Sequence, residues 1–248
     1  MTLIVALEGK DGLVLASDSR GTFGDPRGVT AQNDTLQKLY KISDYVGVLV
    51  CGAAELSVSL IDAVKKSVKS KKMVGITSIV DEFRIVAKQK YNEWFSNFII
   101  QSVQGSEKPP RPDVAVIIAG YDIDKVGKPT EKEIYILGSG WDFAPQRSNY
   151  GFAVNGIPQY ALYLFNRFYA RNTGVDDLMH LAVYSITETA SQDGKVGGPV
   201  QALKITEKLK ARELDSTEIG GIIKSNEERS LRLKTSFYNV KDEKKSTK

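Results

Sequence analysis

The chain opens with Met1-Thr2-Leu3-Ile4-Val5-Ala6-Leu7-Glu8, in which a hydroxyl residue is followed at once by a short apolar run. β-Branched Ile and Val in a run of this length are typical of a strand that is buried on both faces. A secretory signal would need a basic region, a longer apolar stretch and a small-residue cleavage site, and this stretch offers none of them. We therefore expect the fold to begin here, in the middle of a sheet.

Thr2 is the residue of this stretch that could act as a nucleophile. If Met1 is removed, Thr2 bears a free α-amine beside its own hydroxyl group. An α-amine has a pKa of about 7.7–8.0, so much of it is neutral at physiological pH and can accept a proton. One residue can then supply both nucleophile and base. A threonine after the initiator methionine is common, so Thr2 alone does not establish this chemistry.

The composition predicts an ordinary soluble globular protein. The chain has 248 residues, of which 42% are hydrophobic and 26% charged, which allows one large domain with a sizeable core. We place that domain at residues 1–240 and expect the mostly charged residues 241–248 to be a disordered tail. The net charge of +4 comes from basic and acidic residues spread along the chain, which favours solubility over nucleic-acid binding.

The scarcity of cysteine and histidine excludes several kinds of site. Cys51 is the only cysteine, which excludes an internal disulfide framework and favours a small core residue. His180 is the only histidine, which excludes histidine metal clusters and makes a partly buried or interface position the better interpretation. No apolar run approaches the roughly 20 residues that span a bilayer. We expect a cytoplasmic protein without cofactor, metal or membrane partner.

A β-hairpin is predicted at the start of the chain. Leu13–Arg20 is a second apolar strand that becomes polar at its far end, and the tight-turn signal Lys10-Asp11-Gly12 precedes it. Antiparallel pairing about that turn brings the end of the second strand back beside the start of the first. We therefore expect Asp18 to lie near Thr2.

Blocks of strands and helices follow the hairpin. Turn residues predict a loop at Gly21–Gly28, and apolar patterns predict strands at Thr35–Ile42, which contains Lys38, and at Tyr45–Cys51. Helical spacing is found from Glu55 onwards and over Ser78–Gln101, Gln159–Arg171 and Val175–Gln192. Further strands are predicted at Asp113–Gly120, Glu133–Leu137, Tyr150–Val154, Val200–Ile205 and Glu218–Ile223. This block order favours an α+β fold with helices covering sheets over a doubly wound fold.

Thr2, Asp18 and Lys38 stand out as polar residues within apolar strand sequence. An unpaired buried lysine or aspartate is costly, so Asp18 and Lys38 are expected to pair with each other. The pair has two interpretations. It either belongs to a site at Thr2 or is a structural ion pair beside an unremarkable N-terminus.

The chain resembles the proteasome β-subunit family and its bacterial relative HslV, which are N-terminal-nucleophile hydrolases. The matching residues are Thr2-Leu3-Ile4-Val5, Asp11–Arg20, Lys38-Leu39-Tyr40 and Cys51-Gly52-Ala53-Ala54, with a weaker match at Asp193. The spacings from Thr2 to Asp18 and from Lys38 to Gly52 fit the family. The interval from Thr2 to Lys38 is a few residues longer, and the Gly24–Gly28 loop accounts for the excess.

The resemblance implies a four-layer αββα sandwich with Thr2 at the mouth of the cleft between the sheets. Thr2 would attack a peptide carbonyl while its own amine accepts the hydroxyl proton, and an acyl-enzyme ester would form and be hydrolysed. Lys38, held by Asp18, would lower the pKa of the nearby hydroxyl and amine. The backbone N–H of Gly52 would donate to the developing oxyanion. Asp193 would help to orient the amine.

Two positions depart from the family pattern. Asn155 stands before the Gly-x-Pro turn where typical β-subunits have serine, and Val196 stands three residues after Asp193 where they also have serine. Asn155 can still form hydrogen bonds, whereas Val196 cannot. Either another group or a water replaces the serine, or the amine is positioned less well and activity is reduced.

The resemblance also implies a substrate site. The positions that match the family's side-chain pocket carry no charge, which predicts a neutral, apolar residue before the scissile bond. They are Gly21, Leu36, Tyr40, Val50, Ala54 and Val58. Thr22 matches a position that pairs its backbone with substrate.

Two functions from different classes remain open. The first is a threonine-type peptidase or amidase that acts on peptides or proteins, assembles into a homo-oligomeric ring or related assembly, and works with an ATP-dependent unfoldase if one exists. The second is a catalytically weak or inactive proteasome-like subunit with a structural or partner-binding role.

Overall fold

The structure is a computed structural model that describes residues 2–25, 28–95 and 111–238. The tail predicted at residues 241–248 lies outside the described residues. The strands within this part of the chain are β1 (Leu3–Gly9), β2 (Gly12–Ser17), β3 (Gly21–Asp25), β4 (Gly28–Asn33), β5 (Leu39–Lys41), β6 (Val46–Gly52), β7 (Val114–Ile123), β8 (Pro129–Gly138), β9 (Gln146–Arg147), β10 (Phe152–Gly156), β11 (Gln201–Thr206) and β12 (Lys210–Glu213). The helices are α1 (Ala54–Lys71), α2 (Ile76–Phe95), α3 (Gln159–Phe168), α4 (Val175–Gln192) and α5 (Ser216–Tyr238).

Two five-stranded antiparallel sheets form the centre of the fold. The first has the strand order β10-β1-β2-β11-β12, and the second has the order β5-β6-β7-β8-β9. Strands β3 and β4 pair with each other as a separate ribbon. The first strand of the chain is therefore central in its sheet, as its apolar sequence predicted.

Strand β1 is buried on both faces because alternate side chains enter two different cores. Leu3, Val5 and Leu7 pack against the apolar faces of α3 and α4. Ile4 and Ala6 point the other way, into the core between the two sheets. All five side chains are fully buried.

The second sheet repeats this arrangement on its own side. Val46, Val48 and Val50 of β6 pack against α1 and α2, whereas Leu49 faces the first sheet. Two helices, two sheets and two further helices are thus stacked as four layers. The expected α+β fold with an αββα sandwich is confirmed. None of the described helices is both long enough and apolar enough to cross a membrane.

The predicted hairpin is present, with Ile4 opposite Ser17 and Gly9 opposite Gly12. Asp18, the residue after β2, consequently lies beside the first residues of β1. Its backbone N–H donates to the carbonyl oxygen of Leu3 at 3.3 Å. The expectation that Asp18 lies next to the start of the chain is confirmed.

Two predictions near the site were wrong. The segment Gly21–Gly28, predicted as a loop, contains strand β3 and the first residue of β4, which pair with a register shift between Phe23 and Gly24. The strand predicted at Thr35–Ile42 is reduced to β5, and Lys38 lies just before it. The carbonyl oxygen of Lys38 still accepts from the N–H of Val50 in β6 at 2.9 Å, but the N–H groups of Lys38 and Leu39 both donate to the side-chain oxygen of Gln201, at 2.9 and 3.1 Å.

The strand predicted at Glu218–Ile223 was also wrong, because this segment lies inside helix α5. Asp215 caps that helix by accepting hydrogen bonds from the N–H groups of Thr217 and Glu218. Glu218 in turn accepts from the N–H of Asp215, which completes a capping box. The sequence signal for the start of this helix was therefore Asp215-x-x-Glu218. The apolar residues after it lie on one face of α5.

The other helix bounds are close to those predicted. Helix α4 spans Val175–Gln192 as predicted, whereas α3 ends at Phe168, three residues earlier than expected. Helix α2 begins at Ile76, and the part of its predicted range beyond Phe95 lies outside the described residues.

Candidate active site

Asp18 is the best-connected polar side chain near the start of the chain. It is fully buried and accepts four hydrogen bonds. Its Oδ1 accepts from the N–H of Leu3 at 3.1 Å and from Lys38 Nζ at 2.8 Å. Its Oδ2 accepts from the N–H groups of Arg20 at 3.2 Å and Gly197 at 3.1 Å. Three backbone donors and one ammonium therefore hold this carboxylate in one orientation.

Lys38 completes the buried pair. Only 5% of this residue is exposed, and its Nζ also donates to the carbonyl oxygen of Arg20 at 2.6 Å. Burial lowers the pKa of Lys38, while the Asp18 carboxylate acts in the opposite direction. The ammonium thus lies in a poorly solvated place, where its charge acts strongly on neighbouring groups.

Thr2 is held from two sides by backbone contacts. Its carbonyl oxygen accepts a hydrogen bond from the N–H of Ile157 at 2.9 Å, and the next residue, Leu3, is bonded to Asp18. Gly156 passes so close that a Cβ there would lie 1.9 Å from the Thr2 carbonyl oxygen. Any other residue at position 156 would displace Thr2, so the turn after β10 positions this residue as well.

Gly52 ends β6 immediately before helix α1. Its φ of 103° is one that L-residues rarely adopt, and a Cβ would lie 2.1 Å from the carbonyl oxygen of Asp113. Ala53, the residue before α1, has no side-chain cap. The positive end of the α1 dipole therefore lies beside Gly52, where negative charge is stabilised.

A cavity of about 470 Å³ connects Thr2, Lys38 and Gly52. We call it the lysine-side cavity. Its walls include every position that the resemblance assigned to substrate: Gly21, Thr22, Leu36, Tyr40, Val50, Ala54 and Val58. Asp62 and Lys65 line it too, with Lys65 Nζ 4.6 Å from the centre of the Tyr40 ring. The apolar walls thus meet charged residues that the family positions did not include.

Asn155 lies on the other side of Thr2. Its Oδ1 accepts from the N–H of Gly156 at 2.7 Å and lies 3.4 Å from the thiol donor of Cys51. Asn155, Gly52 and Thr2 line a second cavity of about 290 Å³. The Asn155 side chain therefore stabilises the turn beside Thr2.

Asp193 lies in a loop that contacts the site through a backbone group. Its Oδ1 accepts from the N–H of Lys195 at 2.9 Å, within the same loop. Gly197, four residues after Asp193, donates its N–H to Asp18. The side chain of Val196 is fully buried among the residues that α4 covers. At the position where typical β-subunits have serine, the Val196 side chain therefore belongs to the apolar core.

Three residues that secure this site were missed by sequence reasoning. Arg20 pairs with Asp34 through two hydrogen bonds of 2.7 and 2.8 Å and donates to the carbonyl oxygen of Gly194 at 3.0 Å. Gln201 bridges Lys38 and Leu36, and Gly197 contributes only its backbone. The position of Arg20 directly after Asp18 and Ser19 in the matched motif was a usable sequence signal for its role. The backbone N–H of Gly197 has no such signal, because every residue except proline has one.

No metal centre is described at this site or elsewhere in residues 2–25, 28–95 and 111–238, where no three His, Cys, Asp or Glu side chains are grouped to hold an ion. His180 is half-buried, and its Nδ1 lies 3.2 Å from Asn226 Oδ1, between α4 and α5. This placement agrees with the partly buried position expected for it.

Cys51 lines both cavities, and burial raises the pKa of its thiol to about 12. We expect iodoacetamide to alkylate Cys51 in the native protein on the order of a thousandfold more slowly than in urea, because each pKa unit removes tenfold of the thiolate. Mass spectrometry of timed samples measures both rates. Equal rates in the two conditions would contradict a buried, protonated thiol.

Comparisons with known proteins agree with this fold. A family model described as "Proteasome subunit" matches residues 2–205. A proteasome subunit beta of Methanopyrus kandleri is 22% identical over 88% of this chain and 93% of its own length. Proteasome subunit beta 1 of Thermococcus sibiricus is 24% identical over 90% of this chain and 95% of its own length. A proteasome subunit beta of Rhodococcus erythropolis is 24% identical over 80% of this chain and 63% of its own length.

A solved structure, the helical assembly of the Anbu complex from Pseudomonas aeruginosa, shares the fold with a TM-score of 0.72 at 16% identity, covering 95% of both chains. The family model spans most of the chain, from Thr2 to Ile205 in β11. This chain belongs to the proteasome subunit family.

Proposed function

We propose that this protein is a threonine-type N-terminal-nucleophile peptidase or amidase, with Thr2 exposed by removal of Met1. One observation carries the proposal. The buried ammonium of Lys38 and the carboxylate of Asp18 form a pair whose Oδ1 is also bonded to the N–H of Leu3, the residue after Thr2. Lys38 also lines a cavity together with Thr2, which an ion pair that served only to fill the core would not require.

The reaction follows from these placements. Thr2 Oγ attacks the carbonyl carbon of a peptide bond, and the Thr2 amine accepts the hydroxyl proton. The positive charge of Lys38 favours the ionised oxygen and the neutral amine. The N–H of Gly52, beside the positive end of α1, donates to the oxyanion. The amine then protonates the departing nitrogen, the C–N bond breaks, and water hydrolyses the resulting ester of Thr2.

Asp193 and Asn155 act as positioning residues in this proposal. The Asp193 loop places the N–H of Gly197 on Asp18, and the Asn155 side chain secures the turn beside Thr2. Val196 supplies no hydrogen bond to the amine, so a water or another polar group must take that part. We expect slower acylation than in a site with the serine.

The substrate is a peptide or protein whose residue before the scissile bond enters the lysine-side cavity. Gly21, Val50 and Ala54 favour a neutral side chain, and Thr22 offers its backbone to the substrate chain. We further propose a homo-oligomeric ring or related assembly in the cytoplasm, supplied by an ATP-dependent unfoldase. The support is membership of the proteasome subunit family and the shared fold with the Anbu complex, which forms a helical assembly.

Intact-mass spectrometry of the purified chain tests the first requirement. We expect the chain to lack one methionine residue, because only then does Thr2 have a free amine. The small side chain of Thr2 permits this removal. A preparation that quantitatively retains Met1 would contradict the peptidase proposal.

A second candidate is a catalytically weak or inactive subunit with a structural or partner-binding role. The observation that favours it is the burial of Val196, which leaves the amine without the expected hydroxyl partner. Retention of Met1 together with normal assembly on a sizing column would support this candidate. Removal of Met1 with covalent labelling of Thr2 would exclude it.

A further inference from the structure

The second cavity beside Thr2 has its own chemistry. We call it the tryptophan-side cavity, because Trp141 forms one wall of it. The strand ends of β6, β7, β8 and β10 provide the rest, through small residues such as Gly138, Ala115 and Gly156. Its volume of about 290 Å³ suits one long side chain. None of the substrate positions assigned from the family lines it.

Thr2 lies between the two cavities. Thr2, Cys51 and Gly52 line both of them, so they share one edge at the proposed nucleophile. A peptide that places the residue before its scissile bond in the lysine-side cavity must continue away from it beyond that bond. The tryptophan-side cavity is a second cavity that Thr2 lines. It is therefore placed to receive the leaving-group half of a substrate.

The charges lining this cavity favour a basic ligand. Asp113 has the one acidic or basic side chain among the residues that line this cavity, apart from the Cys51 thiol, which is protonated. Asp113 is exposed and accepts a hydrogen bond from Ser139 Oγ at 3.4 Å. No lysine or arginine within the described ranges forms an ion pair with it, and nearby Arg111 contacts Asn92 and Phe95 instead.

Trp141 adds a second feature that fits the same ligand. Trp141 is 46% exposed. Its indole packs so closely on Gly138 that a Cβ at position 138 would lie 3.2 Å from the ring. An indole face attracts cations, and the methylene stem of a lysine or arginine packs on aromatic surface. A carboxylate and an indole on one small cavity therefore match a long side chain with a positive end.

We propose that the tryptophan-side cavity binds the first residue on the leaving-group side of the scissile bond and selects lysine or arginine there. This inference rests on the proposed peptidase function. Asp113 faces the cationic end, and Trp141 packs along the apolar stem. The lysine-side cavity binds the residue before the scissile bond, and the tryptophan-side cavity binds the residue after it.

Three internally quenched peptides test the proposal with the full-length protein. They share one sequence before the scissile bond and carry Lys, Leu or Glu directly after it. We expect kcat/KM for the Lys peptide to exceed that for the Glu peptide by about five- to tenfold, the size of a partly exposed charge interaction. Asp113→Asn is expected to bring the two values within about twofold. Equal values in the unmodified protein would overturn the proposal.

Asp142→Asn is the matched control, because Asp142 is a nearby exposed carboxylate that pairs with Lys88 and does not line the cavity. We expect this variant to retain the preference for Lys. Loss of the preference in Asp142→Asn as well would point to long-range charge and overturn the assignment to Asp113.

An electrophilic peptide with residues only on the acyl side separates this inference from the proposed function. It reports reaction at Thr2 without using the tryptophan-side cavity. We expect Trp141→Ala to lower kcat/KM for the Lys peptide about tenfold, by loss of aromatic packing, and to lower the labelling rate much less. Labelling of Thr2 with no preference among the peptides refutes only the cavity assignment. Absence of labelling in the unmodified protein refutes the peptidase function, and the cavity assignment with it.

Discussion

Replacing Thr2 by alanine is expected to remove covalent labelling and peptide turnover together, each by at least about 10³-fold, as loss of a nucleophile does in other acyl-transfer enzymes. The methyl side chain of alanine cannot attack a carbonyl, although the α-amine, Lys38 and Asp18 all remain. Labelling by an acyl-side electrophile, followed by mass spectrometry, measures the first effect. Release of a fluorophore from a quenched peptide measures the second.

Thr2→Ser is the matched control for this prediction. Serine and alanine are both small, so removal of Met1 is expected in both variants. Serine keeps a hydroxyl and should retain measurable labelling. Equal labelling of Thr2→Ala and the unmodified protein would exclude Thr2 as the nucleophile. Cys51→Ala guards against a false signal from the other nucleophilic side chain that lines both cavities.

The first strand shows why much of this fold was predictable. A short run in which every side chain is apolar requires a core on each side of the strand, and β1 contributes to both. The Lys10-Asp11-Gly12 turn fixes the register of the hairpin, and the register places Asp18 at the start of the chain. Local sequence thus predicted a long-range contact, because a tight turn leaves little freedom in the pairing.

The shape of the site was less predictable, because its remaining parts come from backbone atoms and distant segments. Gly197 donates to Asp18 from a residue 179 positions away, and a glycine N–H has no distinguishing sequence signal. Gln201 accepts from the N–H of Lys38 through a side chain that the sequence offers no reason to single out. Trp141 and Asp113 line one cavity because β7 and β8 are neighbours in the second sheet.

The errors in secondary structure have a common physical cause. The apolar residues near Ile219, Ile222 and Ile223 fit either a strand or a helix face, and only the cap at Asp215 distinguishes the two. The β3–β4 ribbon was missed because turn residues dominate its composition. In both places the average composition of the segment was a poor guide to the structure that it forms.

Lys38→Met and Asp18→Ala are expected to differ in stability while both remove activity. Methionine keeps the length of the lysine stem, and without Lys38 the Asp18 carboxylate still accepts from the N–H groups of Leu3, Arg20 and Gly197. We expect Lys38→Met to lower the free energy of unfolding by about 3 kcal/mol, the lower end for removing one partner of a buried ion pair, because these three backbone donors still stabilise the carboxylate. Turnover should fall at least about 10²-fold, because the cation beside Thr2 is gone.

Asp18→Ala should be the more damaging change to the fold. It leaves three backbone N–H groups without their acceptor and a buried ammonium whose remaining contact is the carbonyl oxygen of Arg20. At about 1–3 kcal/mol for each unsatisfied group, the expected loss exceeds about 4 kcal/mol. Urea unfolding followed by circular dichroism compares the variants. If Lys38→Met loses as much stability as Asp18→Ala, or keeps its turnover, the pair is a structural element and Lys38 does not act on Thr2.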